Sequence, residues 1–216
     1  MRIVIIGAVA AGTSAAAKAR RNNETAEIVI YEKNNYISYS GCGMPYYLGD
    51  EVVDLQKLTP RNPDFFKTKY NVDVLIRHEV MSISPTEKKI TVKNLESGAV
   101  IEDYYDKLVI ATGASATQPP ILGADREHVF ILRSINDMLR IKDFINAKKI
   151  SKVAIVGTGF IGLEVCENLA RLGISVTLIE KLPQVTPGLD RDMAIHVLHH
   201  LKEKGIRVIL GASIES

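Results

Sequence analysis

Cys42 is the residue of this sequence best suited to covalent redox chemistry. It stands in the run Ser38-Tyr39-Ser40-Gly41-Cys42-Gly43-Met44-Pro45-Tyr46-Tyr47, where a glycine on each side lets a cofactor or substrate approach the sulfur closely. A helix starting near Gly43 would present amide hydrogens to a thiolate and favour the charged form. The competing reading is a buried core cysteine, because isolated cysteines are more often structural. Cys166 lies in Leu163-Glu164-Val165-Cys166-Glu167, a pattern that suits packing in the middle of a helix. Cys42 has no cysteine partner at short spacing, so a dithiol relay within one chain is excluded. A single thiol can cycle through a mixed disulfide with an external thiol, or through a sulfenic acid.

Two glycine turns point to a second kind of chemistry. Gly157, Gly159 and Gly162 follow an apolar run at 153–156, and Glu180 closes the next apolar run 18 residues after Gly162. In a βαβ dinucleotide site the first glycine makes the strand-to-helix turn. The second lets the backbone approach the pyrophosphate, the third lets helix and strand pack closely, and the acid meets the ribose. The amino end of the helix adds free N–H groups and a partial positive charge. Glu180 would accept from a free ribose 2′-hydroxyl and repel a 2′-phosphate, which favours NADH over NADPH. Lys181 and Arg171 blunt that preference. The first turn, Gly7-Ala8-Val9-Ala10-Ala11-Gly12, carries Val9 at the middle glycine position. A Cβ there obstructs the phosphate, so an ordinary helix–sheet turn competes, while Glu32 after the following apolar run supports a dinucleotide.

The elements that must hold these groups are legible as a repeat. Residues 3–32 and 153–180 share one layout: apolar run, glycine turn, helix-length segment, apolar run, glutamate. Short, continuously apolar runs separated by helices predict buried parallel strands in βαβ units. Alanines at 15, 16, 17 and 19 suit a helix packed close to its sheet. Predicted strands at 74–76, 80–83, 89–92 and 108–111, with turn signals at 84–86 and 96–98, suggest an antiparallel β-meander between the two copies. A linker near 147–151 would divide a domain at 1–149, with its meander at about 72–105, from a domain at 150–216. Residues 189–204 have helical periodicity, Gly205 is a fitting stop, and 207–210 reads as a strand. The fold class is therefore α/β, with two Rossmann-like dinucleotide-binding units and an inserted meander. The second unit is expected to be truncated, since a doubly wound domain needs more strands than 216 residues have supplied.

Composition restricts the remaining classes. Hydrophobic residues make up 46% and charged residues 24%, with a net charge of +2, the profile of an ordinary globular protein. No run of like charge marks a nucleic-acid or membrane patch, and no apolar stretch approaches the roughly 20 residues of a membrane span. The amino terminus lacks the longer apolar region of a signal peptide, and two cysteines make no disulfide framework, so a cytoplasmic location is expected. His196, His199 and His200 have a spacing that can bind zinc. No second ligand cluster joins them, and no metal is expected.

Over its whole length the sequence resembles the pyridine nucleotide-disulfide oxidoreductases. The resemblance rests on the first glycine turn, on the run Ser40-Gly41-Cys42-Gly43-Met44-Pro45-Tyr46-Tyr47, on Tyr105-Asp106-Lys107-Leu108-Val109-Ile110-Ala111-Thr112-Gly113, and on the second glycine turn with Glu164. A single cysteine at this place marks the branch that holds coenzyme A-disulfide reductases, NADH oxidases and NADH peroxidases, in which the first turn often lacks its middle glycine. Oxidases and peroxidases of the branch typically carry histidine where Ala10 stands. The turn is instead similar to that of coenzyme A-disulfide and coenzyme A persulfide reductases.

The resemblance implies roles for particular residues. FAD would lie on Gly7, Ala8, Val9, Ala10, Ala11, Gly12, Glu32, Lys33, Val80, Ala111, Thr112, Gly113 and Arg133. NADH or NADPH would lie on Gly157, Gly159, Phe160, Ile161, Gly162, Glu164, Glu180 and Lys181, with Phe160 as an aromatic gate over the flavin and Glu164 near the nicotinamide. Cys42 would be the catalytic thiol, carrying a mixed disulfide with coenzyme A. Ser14, Lys18, Arg21 and Ser38 would contact coenzyme A, although plain solvated polarity explains them equally well. A dimerisation domain would lie outside these residues, making the full-length parent a homodimer. Two alternatives stand beside this reading: an NADH oxidase reducing oxygen at the flavin and Cys42, and a non-catalytic nucleotide-binding fragment.

Overall fold

A computed structural model describes residues 1–215. The elements run β1 (Arg2–Ile6), α1 (Ala10–Asn22), β2 (Glu27–Glu32), α2 (Met44–Leu48), α3 (Leu55–Leu58), α4 (Pro63–Tyr70), β3 (Asp73–Ile76), β4 (His78–Ser84) and β5 (Lys89–Asn94). They continue as β6 (Val100–Tyr104), β7 (Lys107–Ile110), α5 (Ile135–Lys148), β8 (Lys152–Val156), α6 (Phe160–Arg171), β9 (Ser175–Glu180), α7 (Arg191–Glu203) and β10 (Arg207–Leu210). The chain divides into two compact units. One comprises Met1–Ser40 with Gln56–Ser115, the other Gly41–Leu55 with the described residues from Ala116 onward. This is a division by packing, and it groups Cys42 and residues 116–149 with the second glycine turn.

The first unit is built on a parallel sheet in the order β3-β2-β1-β7. Its strands are apolar but for charged residues at their ends, and both faces of the central β1 and β2 are covered. On one face Ile3, Ile5, Ile28 and Ile30 pack with Ala8, Ala16, Phe66 and Val72. On the other, Val4, Val29 and Tyr31 pack with Ile90 and Val92 of β5. The alanine-rich face of α1 is what brings that helix close to the sheet, with Ala16 fully buried.

The antiparallel meander is β4-β5-β6 alone. Residues 74–76 and 108–111, expected to belong to it, instead form β3 and β7, which pair in parallel with β2 and β1. Three or four apolar residues look the same in either kind of sheet, and only the partner strand decides. Arg77, with φ of +58°, is the single residue between β3 and β4 and turns the chain out of the parallel sheet. Asp103 of β6 ties the meander back: it accepts from Arg2 Nε at 3.0 Å, Arg2 Nη2 at 2.7 Å and the Tyr31 hydroxyl at 2.6 Å. Burial works to raise the Asp103 carboxyl, but these donors outweigh it and hold it below the usual aspartate range.

The second unit carries a parallel sheet in the order β10-β9-β8. Cys166 and Leu169 of α6 are buried with Val176 and Leu178 of β9. The helix expected at 189–204 is α7, followed by Gly205 at φ +74° and by β10. Helix α5 opens on a capping box in which Ser134 N donates to Asp137 Oδ2 at 2.9 Å and Asp137 N to Ser134 Oγ at 3.3 Å. Among the described residues no helix is long and apolar enough to cross a membrane.

Candidate functional site

The first turn is formed where β1 hands over to α1. Gly7 has φ of +100°, and a Cβ there would run into the Ala111 carbonyl oxygen, so glycine is required on both counts. Gly7 N donates to Tyr31 O at 2.8 Å, and Ala111 N to Ile6 O at 2.8 Å. The sheet thus brings together Gly7, Ala8, Gly12 and the strand end that leads into Thr112 and Gly113. Glu32 is only 5% exposed. Its Oε2 accepts from Ala8 N at 2.9 Å, and its Oε1 from Asn34 N at 2.8 Å and Asn34 Nδ2 at 3.0 Å. Val9 is the N-cap of α1, which has no side-chain cap and no acid in its first turn. The amino end of α1, next to exposed Ala10 and Ala11, therefore keeps N–H donors free for an anion, and the turn fits a dinucleotide pyrophosphate. Lys33 is exposed beside Glu32, Val80 packs in the sheet's second core cluster, and Arg133 lies in the second unit, its N–H 3.3 Å from Asp137.

The second turn repeats this backbone frame with different side chains. Gly157 has φ of +97°, and its N–H donates to Ile179 O at 2.8 Å. A Cβ on Gly159 would meet nothing within 4 Å, which leaves room for a ligand to approach the main chain. Helix α6 also lacks a side-chain cap and a first-turn acid. Thr158 is fully buried and gives two hydrogen bonds to Glu180 Oε2, from N at 2.9 Å and from Oγ1 at 2.8 Å. Leu182 N donates to Glu180 Oε1 at 2.9 Å. Burial pushes the Glu180 carboxyl up, yet the Leu182 and Thr158 donors prevail and keep it below the ordinary glutamate range.

Around this turn Phe160 is 73% exposed and Ile161 is exposed at the start of α6. Glu164 follows half-buried one helical turn later, and Lys181 is exposed. Arg171 pairs with Glu51, so its charge is engaged there rather than free to offset Glu180. The structural duty of the two acids as clamps on their own turns was not apparent from sequence. The donors are main-chain groups and carry no residue signature.

A cavity of about 180 Å³ opens beside α1 in the first unit. Ser14 and Arg21 line it, together with Arg61, Phe66 and Tyr70. Lys18 is exposed but is not part of the lining. Ser38, at φ +48°, instead donates its N–H to Ala8 O at 2.8 Å, against the first glycine turn. Arg61, Phe66 and Tyr70 were missed because they come from α4 and the segment just before it, far along the chain. Two guanidinium groups beside aromatic rings suit an anionic ligand with a flat ring system.

Cys42 is exposed. It sits in a 3-10 turn, Gly41–Gly43, and α2 begins at Met44, one residue after the expected start. Met44, Pro45 and Leu48 are buried, which seats α2 and leaves the thiol outside. Lys142 of α5 fastens the far end of α2, donating to Leu48 O at 2.8 Å and pairing with Asp50 at 2.8 Å. Burial pushes the other thiol, Cys166, up to about 11, so it stays protonated and inert. Among the described residues no group of three or more His, Cys, Asp or Glu is placed to hold a metal ion.

The family model described as pyridine nucleotide-disulphide oxidoreductase matches residues 1–216. A coenzyme A disulfide reductase of Staphylococcus haemolyticus (strain JCSC1435) is 36% identical over 215 residues, covering 100% of this chain and 48% of that protein. The structure of reduced Bacillus anthracis CoADR-RHD superposes with a TM-score of 0.97 at 37% identity, over 100% of this chain and 39% of that one. An NAD-dependent persulfide reductase from A. fulgidus gives a TM-score of 0.95 at 38% identity, over 100% and 40%. The chain spans about half the length of the curated relatives it matches. On the strength of these matches and of the paired glycine turns, the chain belongs to the pyridine nucleotide-disulphide oxidoreductase family.

Proposed function

We propose that this chain is the part of an FAD-dependent NAD(P)H:disulfide oxidoreductase that carries both dinucleotide turns and the redox thiol, with coenzyme A disulfide or coenzyme A persulfide as acceptor. The observation that carries the reading is the contrast between the two thiols of a chain with two glycine turns. Cys42 is exposed between glycines, and Cys166 is buried and protonated. Residues 1–149 form the flavin portion, with the meander at 78–104. Residues 150–216 form the start of the NAD(P)H portion.

Bound flavin supplies a two-electron store between nicotinamide and thiol. Gly7, Ala8 and Gly12 set the main-chain cradle for its pyrophosphate, and Glu32 meets its ribose. The second turn seats NAD(P)H, with Phe160 free to swing over an incoming ring and Glu180 facing the ribose 2′-hydroxyl, which favours NADH. Cys42 holds the mixed disulfide with coenzyme A and is released as the thiolate after reduction. The cavity beside Ser14 and Arg21 would take the nucleotide end of coenzyme A. A cytoplasmic homodimer in the full-length parent completes the reading.

The test is the visible spectrum of the purified protein under argon. A flavin band that bleaches with NADH and returns with coenzyme A disulfide is the expected result. Cys42→Ser should still bleach but not recover with the disulfide. Recovery in that variant would remove Cys42 from the chemistry, and a colourless chain that binds no added FAD would leave a nucleotide-binding fragment.

A further inference from the structure

We propose that Thr158 is a positioning residue for nucleotide choice: its buried hydroxyl locks the Glu180 carboxylate in the one orientation that accepts a ribose 2′-hydroxyl and turns away a 2′-phosphate. The inference rests on the reading of the second turn as the NAD(P)H site.

A carboxylate oxygen has two lone pairs for hydrogen bonding. Both of those on Glu180 Oε2 are occupied by Thr158, through N at 2.9 Å and Oγ1 at 2.8 Å. Oε1 accepts from Leu182 N at 2.9 Å, the Lys181 N–H also acts on the carboxylate, and with two lone pairs Oε1 can still take a further donor beside Leu182. A hydroxyl can be that donor. A 2′-phosphate brings negative charge and no needed donor, so it meets a fixed, desolvated anion that cannot turn aside. Glu180 is 8% exposed, and water has little access to screen it.

Thr158 is itself held from a third direction. Its carbonyl accepts from Thr186 N at 3.2 Å, so the segment after β9 folds back on the turn and traps the threonine between acid and loop. The first turn supplies an internal control. Ala8 stands where Thr158 stands, is equally buried, and gives its acid only a main-chain bond. The side-chain donor to Glu32 comes instead from Asn34. The frame therefore tolerates alanine at this position, and the threonine hydroxyl is an addition specific to the second turn.

The test compares Kd for NADH and for NADPH, by titration of nicotinamide fluorescence, on the 216-residue chain and its Thr158→Ala, Thr158→Ser and Glu180→Gln variants. Circular dichroism controls for folding. The expected result is that Thr158→Ala lowers the NADPH-to-NADH Kd ratio about three- to tenfold, the effect of one hydrogen bond. Thr158→Ser should restore the wild-type ratio, and Glu180→Gln should lower it at least as far as alanine does. A ratio shifted by Glu180→Gln but not by Thr158→Ala overturns the positioning role while leaving the turn as a nucleotide site. A ratio unmoved by Glu180→Gln overturns the acid's part and the proposal with it. Failure of the wild-type chain to bind either nucleotide overturns the underlying reading of the turn itself.

Discussion

The two glycine turns share a backbone and differ in what secures it. In each, the first glycine takes φ near +100° and donates to the strand carbonyl just before the acid. In each, the following residue is fully buried and donates its N–H to the acid at 2.9 Å. In each, the N–H two residues beyond the acid closes the other carboxylate oxygen. The third donor breaks the symmetry. It is Asn34 Nδ2, from beyond the strand, in the first unit and Thr158 Oγ1, from within the turn, in the second. The main-chain contacts follow from β–turn–α geometry and recur whatever the side chains. The side-chain contact has no such constraint, and each unit meets the same need with a different residue.

The shared frame is what should break hardest. Gly12 and Gly162 each pack directly on the carbonyl of the first glycine of their turn. Gly12→Val and Gly162→Val should each cost about 1–3 kcal/mol or more, as overpacking does, read as a lower urea midpoint. If either variant loses nothing, the close helix–strand approach is not what holds that turn.

A feature confined to the first unit gives the next effect. Tyr31 there anchors Asp103, whereas Ile179 at the equivalent place in β9 cannot. Asp103→Asn should cost about 1–3 kcal/mol at pH 7, the range for hydrogen bonds to a charged group. The folded carboxyl is held low, so this stabilisation is present above the unfolded value of about 3.9 and is lost as pH falls through the folded one. The gap between wild type and variant should therefore begin to close as pH falls below about 3.9 and go on narrowing as the folded carboxyl is protonated, and a gap that does not narrow with acid would deny the carboxylate its role.

Smaller effects sharpen the contrast between clamps. Asn34→Ala should weaken FAD binding about two- to tenfold and leave NADH binding unchanged, as equilibrium dialysis and fluorescence titration would report. Equal weakening of both would mean that the two clamps are not independent. Least of all, Val9→Gly should change FAD affinity by less than about threefold while costing roughly 0.5–1 kcal/mol of stability for the added backbone freedom. A large gain in affinity would show that Val9 obstructs the phosphate after all.

Much of the molecule was legible without coordinates, because its signals are local and repeated. The apolar runs at 3–6 and 153–156 became β1 and β8, and the helix and strand after 189 fell within two residues of expectation. Cys166 was placed in the core from its helix-centre setting, and it is buried. The Ser134-x-x-Asp137 capping box marks the start of α5 in the sequence and is a signal that reading passed over. Residues 74–76 and 108–111 were assigned to the meander because strand character was visible and strand partner was not. Of the four polar residues assigned to coenzyme A, Ser14 and Arg21 meet at a cavity whose far wall is Arg61, Phe66 and Tyr70, some 40 or more residues away along the chain.

The sequence by itself determined the α/β class, the duplicated turn with its acid, and the lack of a second cysteine at short spacing from Cys42. Each of these depends on residue type at fixed short spacing. Tertiary structure alone decided which strands pair in parallel, how the cavity beside α1 is walled, and that Glu32 and Glu180 are clamped by their own turns. Those outcomes depend on main-chain donors and on residues distant along the chain, which no spacing rule brings together until the sheets have formed.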